Sequence, residues 1–238
     1  MSSPPSASHL GDLIARHQAL HDPVQEPRNR LRWLRELRRW QAGRLRTSFA
    51  RFLVDPAQRP AAEFFLTDVY GDHDFARRDA DIVRVMPMMQ RLLPASLLDT
   101  VAAGIELGGL THALDLDTAE ALERLAPRRR KLDPALYALA YRKVGDRARR
   151  ARQIALIEQV GNGLAAALRT RGVATLLAIS RGPARAAGLS ALQGFLERGF
   201  EAFGALGDAR AFIGEIVADE RRVLKRLFAG DADPFASP

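Results

Sequence analysis

The chain has 238 residues, enough to bury a substantial core without covalent staples. It contains no cysteine, which excludes disulfides, thiolate catalysis and cysteine-ligated zinc. Its 36 basic and 28 acidic side chains give a formal charge of +8, carried almost wholly by arginine, and this hints at an anionic partner without demonstrating one.

Apolar residues recur with helical spacing and the alternation typical of strands is absent. The pattern predicts an all-α, single-domain bundle of about nine helices over residues 8–229. Residues 1–7 lack the basic and apolar regions of a signal peptide and read as a disordered lead-in. The first helix spans Ser8 to His21 and stops at Asp22-Pro23. The second opens at Pro27, a favourable first-turn residue, and runs to Val54, where Asp55-Pro56 ends it. A third covers Pro60 to Tyr70. After the turn Gly71 to Asp74, Asp74 or Asp79 caps a short helix, and Pro87 interrupts Ile82 to Leu93.

Pro94 introduces a helix from Ala95 to Leu114, and Asp117 caps another from Thr118 to Leu125. Asp133-Pro134 opens Pro134 to Val144. A long helix from Asp146 reaches Arg171, with Gly172 as its C-cap. Val173 to Arg181 is a short apolar helix, Pro183 starts one to Ala205, and Asp208 caps the last, to Phe228. Residues 230–238 read as a disordered tail. The apolar stretch Val173 to Ile179 is far too short to span a bilayer, and the expected location is the cytoplasm.

The segment Glu63-Phe64-Phe65-Leu66-Thr67-Asp68-Val69-Tyr70-Gly71 stands out. Adjacent phenylalanines demand apolar surface on two sides, so this helix should lie deep in the bundle. Six acids (Glu63, Asp68, Asp72, Asp74, Asp79 and Asp81) crowd around it, with Arg77, Arg78 and Arg84 among them. One account makes them helix caps and arginine bridges. A sharper one makes Asp68, Tyr70, Asp74, Asp79 and Asp81 an acid–base or ligand site. Hard metals favour such oxygens, but the spacing matches no EF-hand loop, and neither metal nor cofactor is expected.

With Asp74-Phe75, Arg78 to Asp81, Pro87 and Leu92 to Pro94, this segment resembles the FFLEELY-motif family of bacterial proteins. Thr67 replaces the first glutamate of the motif, Asp68 stands for the second and Val69 replaces leucine. The resemblance is strongest over Gln58 to Pro94 and is compatible with Trp40-Gln41 and with Phe195 to Phe200. That family has no known function, so the resemblance implies no activity.

The second helix offers the better binding surface. At 100° per residue, Arg28, Arg32, Arg35, Arg39 and Arg46 fall within an arc of about 60°, opposite Trp33, Leu34, Leu37, Trp40 and Leu45. Such a face is either solvated and paired to acids elsewhere in the chain, or meets a phosphate backbone, lipid headgroups or an acidic protein. Arg128, Arg129, Arg130 and Lys131 follow a helix C-terminus, where the dipole favours cations. Arg142, Lys143, Arg147, Arg149, Arg150 and Arg152 are expected to pair with the acidic segment near residue 70.

His17 and His21 are four apart but lack the third ligand of a zinc site, and His112 reads as a packed histidine rather than a haem ligand. Gly161-Asn162-Gly163 lacks the lysine and the strand of a phosphate loop. Gly104, Gly108, Gly188, Gly194, Gly199 and Gly204 read as close helix contacts. No catalytic constellation emerges. The sequence therefore favours a non-enzymatic protein-interaction or structural module, its partner another protein or itself. The alternatives are nucleic-acid or anionic-membrane binding through residues 27–54, and an enzyme or ligand-binding protein built on the Tyr70 and aspartate cluster.

Overall fold

Aspartate side chains set several of the helix starts. Asp133 accepts the Leu136 N–H at 2.8 Å, Asp146 the Arg149 N–H at 3.0 Å, and Asp208 the N–H groups of Arg210 and Ala211 at 3.0 Å. The computed structural model describes residues 7–69 and 94–236, and among them there are ten α-helices and no strand. They are α1 (Ala7–His21), α2 (Arg32–Ser48), α3 (Ala50–Val54), α4 (Arg59–Phe64), α5 (Ala95–Leu125), α6 (Pro134–Val144), α7 (Arg147–Arg169), α8 (Val173–Ala186), α9 (Ser190–Gly204) and α10 (Ala209–Ala229). The chain is thus an all-α, multi-helix bundle.

Four expectations are corrected. The helix over residues 27–54 is three pieces: a 3-10 turn Pro27–Arg30, then α2, then α3. Leu31 is extended, and Glu26 caps the 3-10 turn by accepting the Arg28 N–H at 3.2 Å. Residues 95–125 form one helix rather than two, because Asp117 does not cap; its carboxylate is taken by arginines. Pro183 lies inside α8, and the break falls at Gly188, whose φ of +73° lets the Leu189 N–H reach back to the Ala184 carbonyl at 2.8 Å. Beyond Gly230 the chain packs through Ala236. The Phe235 ring lies 5.5 Å from Trp40 and 5.9 Å from Tyr137, so this stretch is not a free tail. The turn and helices expected over residues 71–93 lie outside the described residues.

Helix α5 runs through the bundle, packed by α1, α2, α6 and α7, while α10 covers α7 and α6, and α9 joins α4 to α8. The core is continuous across α2, α4, α5, α6, α7, α9 and α10. The motif helix α4 continues into a π-helical turn, Phe65–Val69, and Phe64, Phe65 and Leu66 are all buried, as the sequence requires. Phe64 faces Phe195 at 5.3 Å and Phe65 faces Phe203 at 5.7 Å and Phe212 at 6.2 Å, so the adjacent rings serve two sides of the core.

Glycine makes this close approach possible. A Cβ on Gly199 would sit 2.8 Å from the Phe64 ring, one on Gly161 2.5 Å from Ile213, and one on Gly163 2.1 Å from the Thr100 hydroxyl. The Gly161-Asn162-Gly163 segment is therefore where α7 seats both α5 and α10. Gly104, expected to be such a contact, has nothing within 4 Å among the described residues. Gly199→Ala should destabilise the protein by about 1 to 3 kcal/mol through overpacking of Phe64. Gly104→Ala should instead stabilise it by up to about 1 kcal/mol through helix propensity. Urea denaturation of the two variants checks both signs.

Candidate anion-binding groove

Helix α2 presents two chemically distinct faces. Trp33, Leu34, Leu37 and Leu45 are buried, Arg32, Arg35, Arg39 and Arg46 line the opposite side, and Arg38 and Arg44 turn to Asp115 and Glu220. The arginines do not all remain available. Arg28, on the 3-10 turn, donates to Glu26 at 2.7 Å and to Asp117 at 2.8 Å, and these carboxylates, Glu26 first, push its pKa up. Arg32 pairs with Glu123 at 3.0 Å, and Arg39 with Glu36 at 2.6 Å. Arg35 and Arg46 are exposed and have no ion-pair partner among the described residues.

Several of the acids that absorb the cationic charge belong to α5. Asp117 sits between Arg28 and Arg149, each at 2.8 Å, and Glu106 takes Arg152 at 2.8 Å. Arg149 and Arg152 were expected to reach the acidic segment near residue 70; they pair instead with α5. Arg150 is buried, donating to the Thr118 hydroxyl at 2.9 Å with its guanidinium 4.4 Å from the Tyr141 ring centre.

Two tethers hold the loop between α5 and α6 against α2. The Arg32 guanidinium donates to the carbonyls of Ala126, at 3.3 Å, and Pro127, and the Leu132 N–H donates to Glu36 at 3.4 Å. The loop cations are thereby placed beside the α2 stripe. A groove of about 210 Å³ results, lined by Arg32, Arg35 and Arg39 from α2 and by Arg129 and Arg130 from the loop, with Trp33 and Glu36 between them. Trp33 is 2% exposed, and its buried indole N–H has no hydrogen-bond partner among the described residues. Arg129 pairs with Asp133 at 2.5 Å, whereas Arg130 is exposed and without an ion pair among the described residues. The sequence singles out both basic groups but gives no reason to join them, because the joining contacts run from side chains to loop backbone.

The carboxylate cluster offers less. Asp68 is bridged by Arg198 of α9 at 2.9 Å and lies 2.9 Å from the Thr67 hydroxyl. Tyr70, Asp74, Asp79 and Asp81 lie outside the described residues. No group of three or more His, Asp or Glu side chains that could hold a metal exists among the described residues.

The histidines meet at the α1–α5 contact. The His21 ring stacks on His112 at 4.0 Å and lies 4.3 Å from His17. His112 is buried, its Nδ1 2.6 Å from the Arg38 guanidinium and its Nε2 2.8 Å from Asn29 Oδ1. Arg38 can only donate, so Nδ1 accepts and the proton sits on Nε2. Burial first, then the neighbouring cations, push the His112 pKa down to about 3. Burial raises the pKa of Asp115, which accepts from Gln41 at 3.1 Å.

Residues 20–234 match the family described as Domain of unknown function (DUF8198). The chain belongs to that family. No curated protein and no solved structure matches it. The DUF8198 match takes in α2, the groove and the Phe64–Gly199 contact, so the whole candidate site lies within the family's extent.

Asp117→Asn should lower stability by about 1 to 2 kcal/mol, since it weakens two part-exposed ion pairs at once, and high salt should shrink the difference. Thermal denaturation at low and high ionic strength checks it. The folded pKa of His112 lies below the ordinary value of about 6.5, so the unfolded chain binds more protons between those values. Stability should therefore fall as the pH drops from about 6.5 toward 3, by at most about 1.4 kcal/mol per pH unit from this group. Asp115 contributes with the opposite sign. Urea midpoints of wild type and His112→Asn across that range isolate the histidine, and the variant should show the shallower slope.

Proposed function

We propose that this DUF8198 chain is a cytoplasmic, non-enzymatic binding module that docks an acidic protein segment on the face shared by α2 and the α5–α6 loop. The observation that carries this reading is the gathering of Arg32, Arg35, Arg39, Arg129 and Arg130 around one groove, with Arg35 and Arg130 lacking an ion pair among the described residues. A cationic groove of this kind attracts negative charge and orients it before contact. The FFLEELY-like segment then serves as an anchor, with its phenylalanines in the core and Asp68 tied to Arg198. The engagement of Asp68 also speaks against its acting as a general base.

A second reading is supported by Arg46, which extends the exposed cationic surface along α2 beyond the groove. It makes the partner a nucleic acid or an anionic membrane surface. Among the described residues no helix is long and apolar enough to cross a membrane.

Immobilised poly-glutamate, DNA and anionic vesicles separate the two readings. The wild type should be retained on poly-glutamate at low salt, and the triple variant Arg35→Glu, Arg39→Glu, Arg130→Glu should lose retention while keeping its helical circular-dichroism spectrum. Retention on DNA or vesicles alone would favour the second reading, and no retention on any of the three would remove both.

A further inference from the structure

The groove is more selective than a generally basic face. Three of its five guanidinium groups are already neutralised: Arg32 by Glu123, Arg39 by Glu36 and Arg129 by Asp133. Arg35 and Arg130 are the lining cations without an ion pair among the described residues. Two uncompensated positive charges at one concave site match the roughly −1.5 to −2 charge of a phosphate monoester at neutral pH.

Side-chain chemistry points the same way. Every lining cation is arginine, whose planar fork pairs two N–H groups with two oxygens of one phosphate. The ion pairs of Arg32 and Arg39 restrain the groove wall before a ligand arrives, which lowers the ordering cost of binding. The two tethers from Arg32 and Glu36 hold the loop that carries Arg130 in register with the helix that carries Arg35.

The lining also disfavours a nucleobase. Its one aromatic residue, Trp33, is buried and offers no exposed face for stacking. We propose that the groove is a recognition site for a single phosphate monoester carried on a side chain of a partner protein, gripped by Arg35 and Arg130. Arg128 and Lys131, exposed on the same loop, then meet acidic residues flanking that phosphate. This assignment rests on the docking face proposed above and names the group that anchors it.

The test is fluorescence anisotropy with three versions of one labelled peptide, carrying phosphoserine, serine or glutamate at a single central position. The phosphoserine peptide should bind at least about 10-fold more tightly than the other two, equivalent to about 1.4 kcal/mol. Inorganic phosphate should compete with it. Arg35→Gln combined with Arg130→Gln should remove the preference, and Arg171→Gln, at an exposed position outside the groove, should leave it intact. Unchanged thermal midpoints show that the variants remain folded.

Equal binding of the phosphoserine and glutamate peptides, weakened together by the double variant, would overturn the phosphate assignment and leave the acidic-partner reading standing. No binding of any peptide, together with no retention on poly-glutamate, would overturn both. Groove-dependent binding of a 5′-phosphorylated oligonucleotide in preference to the phosphopeptide would overturn the assignment to a protein side chain.

Discussion

Asp117 ties the two sides of the bundle together. In the C-terminal third of α5, its carboxylate accepts Arg28 from the 3-10 turn on one side and Arg149 from α7 on the other, both at 2.8 Å. Around it Glu106, Glu120 and Glu123 extend an acidic ridge along the same helix, and each meets an arginine. Each pair is part-exposed and individually weak, and the apolar core supplies most of the cohesion. The ridge adds registration. It sets where α2 and α7 sit against α5 while their apolar faces fill the interior.

The same neutralisation defines what is left for function. In the docking reading proposed above, the arginines paired only with α5 are structural and those facing away from it meet the partner. Arg32 bridges the two groups: its guanidinium pairs with Glu123 and also holds the Ala126 and Pro127 carbonyls. Through it the acidic ridge, the α5–α6 loop and the groove are mechanically continuous. Part of a charge that seems diffuse in the sequence is cancelled internally, and at this groove Arg35 and Arg130 are left uncompensated among the described residues.

Elements governed by local chemistry were legible in the sequence. The start of α6 at Asp133-Pro134, the Asp146 cap of α7 and the Asp208 cap of α10 need only neighbouring residues, and the deep burial of Phe64 and Phe65 follows from their adjacency. What was not legible depends on distant partners. Asp117 has the sequence context of a cap, but arginines 89 and 32 residues away claim it. Pro183 has the context of a helix start, yet the break is set by the left-handed conformation available to Gly188. The groove itself depends on backbone carbonyls of a loop, which carry no side-chain signature. Phe235 reads as part of a polar tail until Trp40 and Tyr137 are placed beside it.

We propose that Arg35 and Arg130 form one site in which Arg28, Arg149 and Arg152, bound to acids of α5, take no part. Nitrogen-15 NMR of the arginine side-chain Nε–H groups during a titration with inorganic phosphate tests it most directly. Saturable shifts that share one binding curve are expected at Arg35 and Arg130, with Arg28, Arg149 and Arg152 unmoved. Small, unsaturated shifts spread evenly over all arginines would contradict it.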